Sequence, residues 1–305
     1  MPVDIGLPSP YEPTAPMVPE SEWTAPIPAY GGTRRCANLI NMAAWPEQFT
    51  LSKDMNEVAW IELDSWIGMD NTRVTSVVPR GFATYVRVFH PVQGPSGLLR
   101  WSDIALRTGR TMHPLAQWKQ ISPDADGSTA PPQGEPPSEV LIPLVSTLRG
   151  FTPNPGQCFF AIWDGWGQLH SSSFGSFRFP GQSKGEATPV EQFVSDREDE
   201  AKGFPRFELE PGTGRPYLLG RGPLEVVLEI AEGSVYERPG VPVAMWWSSD
   251  RSWFVSSEID FDSTLIGGSE ELCGALLANR ELEALEVPHN GALDESGDDI
   301  NRLKD

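Results

Sequence analysis

Residues 244–268, AMWWSSDRSWFVSSEIDFDSTLIGG, predict the central part of the fold. Trp246, Trp247 and Trp253 are three of the eleven tryptophans in the chain. They lie in two apolar runs around the polar residues 249–251, a pattern that indicates two strands joined by a turn. Successive side chains of a strand point to opposite faces, so Trp246 and Trp247 cannot face the same core. One of them is expected to meet a second layer, a loop or a ligand.

An acidic row, Glu258, Asp260 and Asp262, follows the tryptophans. If the strand continues, these carboxylates lie on one face, about 7 Å apart. Three interpretations stay open: the solvated face of a half-buried strand, a contact for a basic partner, and a site for a divalent cation. We expect no metal, because the carboxylates repel one another and no Asn/Gly loop shapes a cage. Of this stretch, the acidic row is the part expected to face outward.

A second aromatic turn, Trp-Asp-Gly-Trp, ends the apolar run at residues 157–163. Tryptophan is frequent at binding hot spots, although core packing also explains clustered tryptophans. Arg251 is a candidate to stack on a tryptophan or to pair with Asp164 or Glu258. The candidate binding residues are Trp246, Trp247, Arg251, Glu258, Asp260, Asp262, Asp164 and Trp166.

Composition narrows the classes of partner. The formal net charge is −19, and residues 258–305 carry 13 acids against three bases. Such a chain repels nucleic acid and anionic membranes, and it attracts a basic protein. Three widely separated cysteines without a CxxC pair indicate buried thiols in a cytoplasmic protein. The sequence shows no secretory signal and no apolar run long enough to span a membrane.

The pattern of elements predicts an α+β fold with a mostly antiparallel sheet and short helices packed on its faces. The segments VTSVV (74–78) and FATYVRVFH (82–90) predict a hairpin, and Ser269 is expected to cap a helix. A Pro/Gly-rich stretch suggests a division into two lobes. The predicted parts are a disordered Pro-rich arm (1–32), an N-terminal α+β lobe (33–121), a linker (122–137), a C-terminal α+β lobe (138–288) and a disordered acidic tail (289–305).

The common catalytic motifs are absent: there is no Walker loop, GxGxxG, HExxH, GxSxG or EF-hand, and we expect no cofactor. An enzyme with its site between the lobes stays an alternative, with Asp164, His170, Asp250 and Arg251 as its candidates. His90 follows a predicted strand, where it is either a base or a structural residue that bonds to backbone.

Three segments resemble an uncharacterised family common in actinobacteria: CFFAIWDGWG (158–167), RPYLLGRGPLE (215–225) and MWWSSDRSWFVSSEIDFDSTLIGGSEEL (245–272). The resemblance covers residues 150–288 and implies no activity. The GWG after an apolar strand and the closing helix are also similar to immunity proteins of the SMI1/KNR4 (SUKH) type. That likeness implies an α+β module that neutralises a toxin by binding it. The leading prediction is therefore a non-catalytic protein-binding module, with an enzyme or an assembly subunit as alternatives.

Overall fold

The computed structural model of the chain describes residues 44–64, 72–94, 97–123, 130–170, 189–209, 215–231 and 240–302. One antiparallel sheet forms the centre of this fold. The strands are β1 Thr50–Leu51, β2 Thr84–Phe89, β3 Val92–Gly94, β4 Gly97–Leu99, β5 Cys158–Trp163, β6 Arg206–Phe207, β7 Tyr217–Gly222, β8 Met245–Ser248, β9 Phe254–Ser256, β10 Ser263–Gly268 and β11 Ala284–Glu286. The predicted arm and Cys36 lie outside the described residues.

Within these ranges, nine strands form the sheet, in the order β1-β7-β5-β8-β9-β10-β2-β11, and β6 also pairs with β7. Strands β3 and β4 form a separate hairpin. Strands β8 and β9 pair as expected, with Trp247 opposite Phe254. The predicted hairpin at 74–90 is wrong in its first half, because Val74–Ser76 is a 3-10 helix. Short apolar runs of this kind do not distinguish a strand from a helical turn.

The helices are α1 Trp101–Thr108, α2 Trp118–Ile121, α3 Ser138–Arg149, α4 Pro189–Ala201, α5 Val226–Ala231 and α6 Glu270–Ala278. Helices α3 to α6 cover one face of this sheet, which we call the first face. Leu144 of α3 and Cys273 of α6 share a buried core with Phe160 and Trp246 of the sheet. The Ser269 hydroxyl accepts a hydrogen bond from the Leu272 N–H, so the predicted cap of α6 is confirmed. The α+β class is confirmed as well.

The opposite face, which we call the second face, is covered differently. Loop segments 55–63 and 74–78 pack on its middle, against Trp247, Phe254 and Leu265. Helices α1 and α2 pack on its far end around Phe89. Both faces of the sheet are therefore covered, which is why the strands are apolar on both sides.

The division into two lobes is not confirmed, because the described residues form one compact unit. Strand β2, from the first predicted lobe, lies between β10 and β11 of the second. The part of the linker that is described also packs on the body, since Gly134 donates its N–H to the Phe261 carbonyl at 2.9 Å. A proline- and glycine-rich composition marked a long docked loop rather than a domain boundary.

The acidic tail differs from its prediction in the same way. The Leu293 N–H donates to the Thr72 carbonyl at 2.7 Å, and the Val74 N–H donates to the Gly291 carbonyl. Asp298 is completely buried and Asn301 nearly so. The segment 289–302 is therefore held by backbone pairing, which its Gly- and Asp-rich composition does not reveal.

Candidate functional site

Trp246 and Trp247 lie on opposite faces of the sheet, and both are buried, with 1% and 0% of their surfaces exposed. Trp246 packs edge-on against Trp253 in the first face. Trp247 stacks between Phe159 and Phe254 in the second face, at 5.9 and 5.6 Å between ring centroids. It also meets Trp60 of a covering loop. The second tryptophan thus meets a loop, one of the expected environments, and neither side chain is an exposed anchor.

The acidic row is not an exposed strand face. Strand β9 ends at Ser256, and the Phe261 N–H donates to the Glu258 carbonyl at 2.9 Å, which closes a turn. This turn ends the strand alternation on which the prediction rested. Each of the three carboxylates forms an ion pair with an arginine from another part of the chain.

Arg215 joins two of these carboxylates. Its guanidinium donates to Glu258 and, at 2.5 Å, to Asp260. Glu258 is only 3% exposed and also accepts a hydrogen bond from the Tyr217 hydroxyl at 3.4 Å. Burial raises the pKa of Glu258, and the charge of Arg215 opposes that rise without cancelling it. The arrangement is a buried acid held by one arginine, at the end of the sheet where β7 begins.

The third carboxylate pairs with a buried arginine of β2. Arg87 donates to Asp262 at 3.3 Å, to the Ser263 hydroxyl at 2.7 Å and to the Ala116 carbonyl at 2.9 Å. Its guanidinium lies over the Phe89 ring, 4.6 Å from the centroid. Burial raises the pKa of Asp262, and the charge of Arg87 opposes the rise. These contacts join β2 to the turn before β10 and to the loop before α2.

His90 is sealed inside the protein and serves a structural role. Its Nδ1 lies 2.7 Å from the Pro132 carbonyl, which can only accept, so Nδ1 carries the proton. Its Nε2 then accepts from the Thr264 hydroxyl at 2.9 Å, and Thr264 in turn contacts Ser257 at 2.8 Å. Burial lowers the pKa of His90 to about 4, so the ring is neutral at pH 7. His90 is therefore a structural residue that bonds to backbone, and not an accessible base.

Asp164 and Trp166 lie in the turn after β5. Both carboxylate oxygens of Asp164 accept from Arg206, each at 3.1 Å. The half-buried Trp166 packs edge-on against Trp163, and the ring of His170 bonds to the Asp164 carbonyl. Asp164 is therefore part of a bidentate ion pair, a geometry that fixes the turn.

Arg251 is the candidate binding residue that the structure leaves exposed. It occupies the tip of the β8–β9 hairpin with φ of 60°, a left-handed conformation that is uncommon for a residue other than glycine. Its guanidinium lies over the Trp60 ring, 5.3 Å from the centroid. The predicted stacking on a tryptophan is confirmed. The predicted pairing with Asp164 or Glu258 is wrong, because Arg206 and Arg215 hold those carboxylates.

Sequence reasoning missed the arginines that complete these pairs. Arg206 lies 42 positions from Asp164, Arg215 lies 43 from Glu258, and Arg87 lies 175 from Asp262. No local spacing reports contacts over such separations. Trp60, the ring under Arg251, lies in a stretch of mixed apolar and acidic residues that gave no clear periodicity.

The described residues hold no group of three or more His, Cys, Asp or Glu side chains placed to bind a metal ion. An open cleft of about 400 Å³ lies elsewhere, between residues 80–85 and 286–289, and contains none of the candidate residues. Its Arg80 is already paired with Asp64. Among the described helices, none combines the length and the apolar character needed to cross a bilayer.

Comparisons with protein-family models, with curated proteins and with solved structures each gave no match. The actinobacterial family and the SUKH-type likeness therefore stay predictions from the sequence.

Proposed function

We propose that the chain is a non-catalytic protein-binding module. The observation that carries this proposal is Arg251, which is exposed, lies at a strained hairpin tip and rests on Trp60. Arginine and tryptophan are the residue types most enriched at binding hot spots, and strained backbone is concentrated at functional sites. The stack pre-orients a long side chain, which reduces the entropy lost on binding.

The other candidate functions have less support. The candidates for an enzyme do not converge, since Asp164 and His170 lie at one end of β5 whereas Asp250 and Arg251 lie at the hairpin beside its other end. For an assembly subunit, a large apolar patch is expected. The exposed large apolar residues of the described chain are spread over separate elements: Leu98, Leu106, Ile142, Leu277 and Ile300.

A cytoplasmic location and an immunity-type role are narrower forms of the proposal. Cys158 and Cys273 are buried free thiols, which supports a reducing compartment. The immunity-type role rests on the SUKH-type likeness, and co-expression with a toxin encoded beside its gene tests it. Rescue of growth by this chain is expected, and loss of rescue with Arg251→Asn would tie the effect to the hairpin.

Affinity capture tests the binding function directly. The immobilised full chain is compared with Arg251→Asn, which removes the charge but tolerates the left-handed conformation. Arg107→Gln is the matched control, because it removes one exposed arginine of α1. The same protein should be retained from an extract of the source organism by the wild type and the control. Retention should fall about tenfold for Arg251→Asn, equivalent to 1.4 kcal/mol. Equal retention by all three chains would contradict the proposal.

A further inference from the structure

We infer that a surface beside the β8–β9 hairpin binds an acidic peptide segment of a partner protein. The surface is formed by Trp60, Phe159, Arg221 and Arg251, and we call it the arginine–aromatic surface. The inference rests on the proposed function and deepens it by naming the chemistry of the partner.

Sheet register places these residues together. Arg221 of β7 lies opposite Phe159 of β5, which lies opposite Trp247 of β8. Residues directly opposite one another in a sheet point to the same face. Arg221 and the stacked Phe159 ring therefore lie on the second face, with Trp247 about 10 Å from Arg221 by two strand spacings. Trp60 contacts Trp247 from above, and Arg251 lies on Trp60.

The surface is both charged and incompletely covered. Arg221 and Arg251 are exposed, and neither forms an ion pair with another residue of the described chain. Five other arginines are each paired with a carboxylate: Arg80, Arg87, Arg149, Arg206 and Arg215. Phe159 and Trp60 are half-buried, so parts of two aromatic rings are accessible beside the two guanidinium groups.

Charge complementarity selects the occupant. Guanidinium groups recognise carboxylates through paired N–H donors, and an aromatic floor accepts an apolar side chain between them. A nucleic acid carries a dense row of phosphates that the net charge of −19 repels. A short acidic segment on a neutral or basic protein avoids that repulsion, and the overall charge still attracts the rest of such a partner. The expectation of a basic partner thus changes, because the predicted acidic contact row is paired internally.

Selection from a random peptide library displayed on phage tests this inference. The full chain serves as target, and Arg251→Asn, Arg221→Gln and Arg107→Gln are the comparisons. Selected peptides should be enriched in Asp and Glu beside an aromatic or aliphatic residue. Their affinity, measured by fluorescence anisotropy, should fall about tenfold for Arg251→Asn and for Arg221→Gln and stay unchanged for Arg107→Gln.

Several results would overturn the inference. In the selection, these results are a failure to enrich any peptide, or enrichment of basic or neutral peptides. In the affinity measurement, they are equal binding of peptides whose Asp and Glu are replaced by Asn and Gln, or equal binding of the peptides to all variants. Capture of a protein partner that depends on Arg251, combined with any of these results, would leave the binding function standing and remove only the acidic segment. If capture of a partner also did not depend on Arg251, the proposed binding function would be removed as well.

Discussion

Asp298 shows how a single buried carboxylate holds the C-terminal segment. It accepts hydrogen bonds from the backbone N–H groups of Gln117 and Asn301, from the Asn301 side chain and from His113. Burial alone would raise the pKa of Asp298, but these donors outweigh it and the pKa is lowered. The ionised carboxylate therefore joins residues 298–302 to the loop before α2.

Removal of this carboxylate should destabilise the protein. For Asp298→Ala we expect the free energy of unfolding to fall by about 3 kcal/mol, because several buried donors lose their acceptor. Asp299→Ala, an exposed neighbour, should change it by less than about 0.5 kcal/mol. Urea unfolding measures both. Since the folded-state pKa is lowered, the advantage of the wild type is present above the unfolded pKa of about 4 and is lost as the pH falls through the folded value. Equal losses for both variants would contradict this account.

Glu258 should show the opposite pH dependence. Its pKa is raised by burial, so the folded state binds the proton more tightly than the unfolded state does. Its contribution to stability is fully present below the unfolded pKa of about 4.3 and decreases as the pH rises through the folded value. The stability of the wild type relative to Glu258→Gln should therefore increase as the pH falls from about 7 to about 5. Urea unfolding across this range measures the difference, with the exposed Glu281→Gln as control. A constant difference would contradict the burial argument.

At the scale of elements, local pattern predicted the strands and helices that are apolar, short and clearly bounded. The β8–β9 hairpin, strand β5 and the cap of α6 follow from alternation, an apolar run and a capping serine. The prediction that the acidic row forms an exposed strand face was wrong, because β9 ends at Ser256 and a hydrogen bond between Glu258 and Phe261 closes a turn there. The partners of these carboxylates are Arg87 of β2 and Arg215, which precedes β7, and such long-range pairing has no local signature. Of the candidate site, the sequence predicted the stacking of Arg251 on a tryptophan, but it did not identify Trp60 as the ring.

The turn after β5 offers a test of packing within one element. A Cβ atom on Gly165 would lie 2.1 Å from the Trp163 ring, whereas one on Gly274 of α6 would meet nothing within 4 Å. Gly165→Ala should lower the free energy of unfolding by about 1–3 kcal/mol, since the ring must move. Gly274→Ala should raise it by up to about 1 kcal/mol through helix propensity. Thermal unfolding of the two variants compares them, and a neutral Gly165→Ala would show that the ring shifts freely.

At the scale of the whole molecule, the position of β2 decides how the chain unfolds. Six register pairs join β2 to β10, and three join it to β11. Residues 84–89 are thus paired on both sides in a sheet otherwise built from residues beyond 137, apart from the short edge strand β1. The two predicted lobes would unfold in two steps, whereas one shared sheet should unfold in a single cooperative step.

Two measurements distinguish these outcomes. For the full chain, the urea transitions followed by tryptophan fluorescence and by far-UV circular dichroism should coincide. The isolated segment 138–288 should lack near-UV circular dichroism and a cooperative transition, because without β2 the edge of β10 is unpaired and β11 has no neighbour. A fragment that folds alone, or two separate transitions in the full chain, would restore the two-lobe interpretation. The expected result instead places the arginine–aromatic surface on a sheet that unfolds as one unit, so loss of β2 should also disrupt the stack of Arg251 on Trp60.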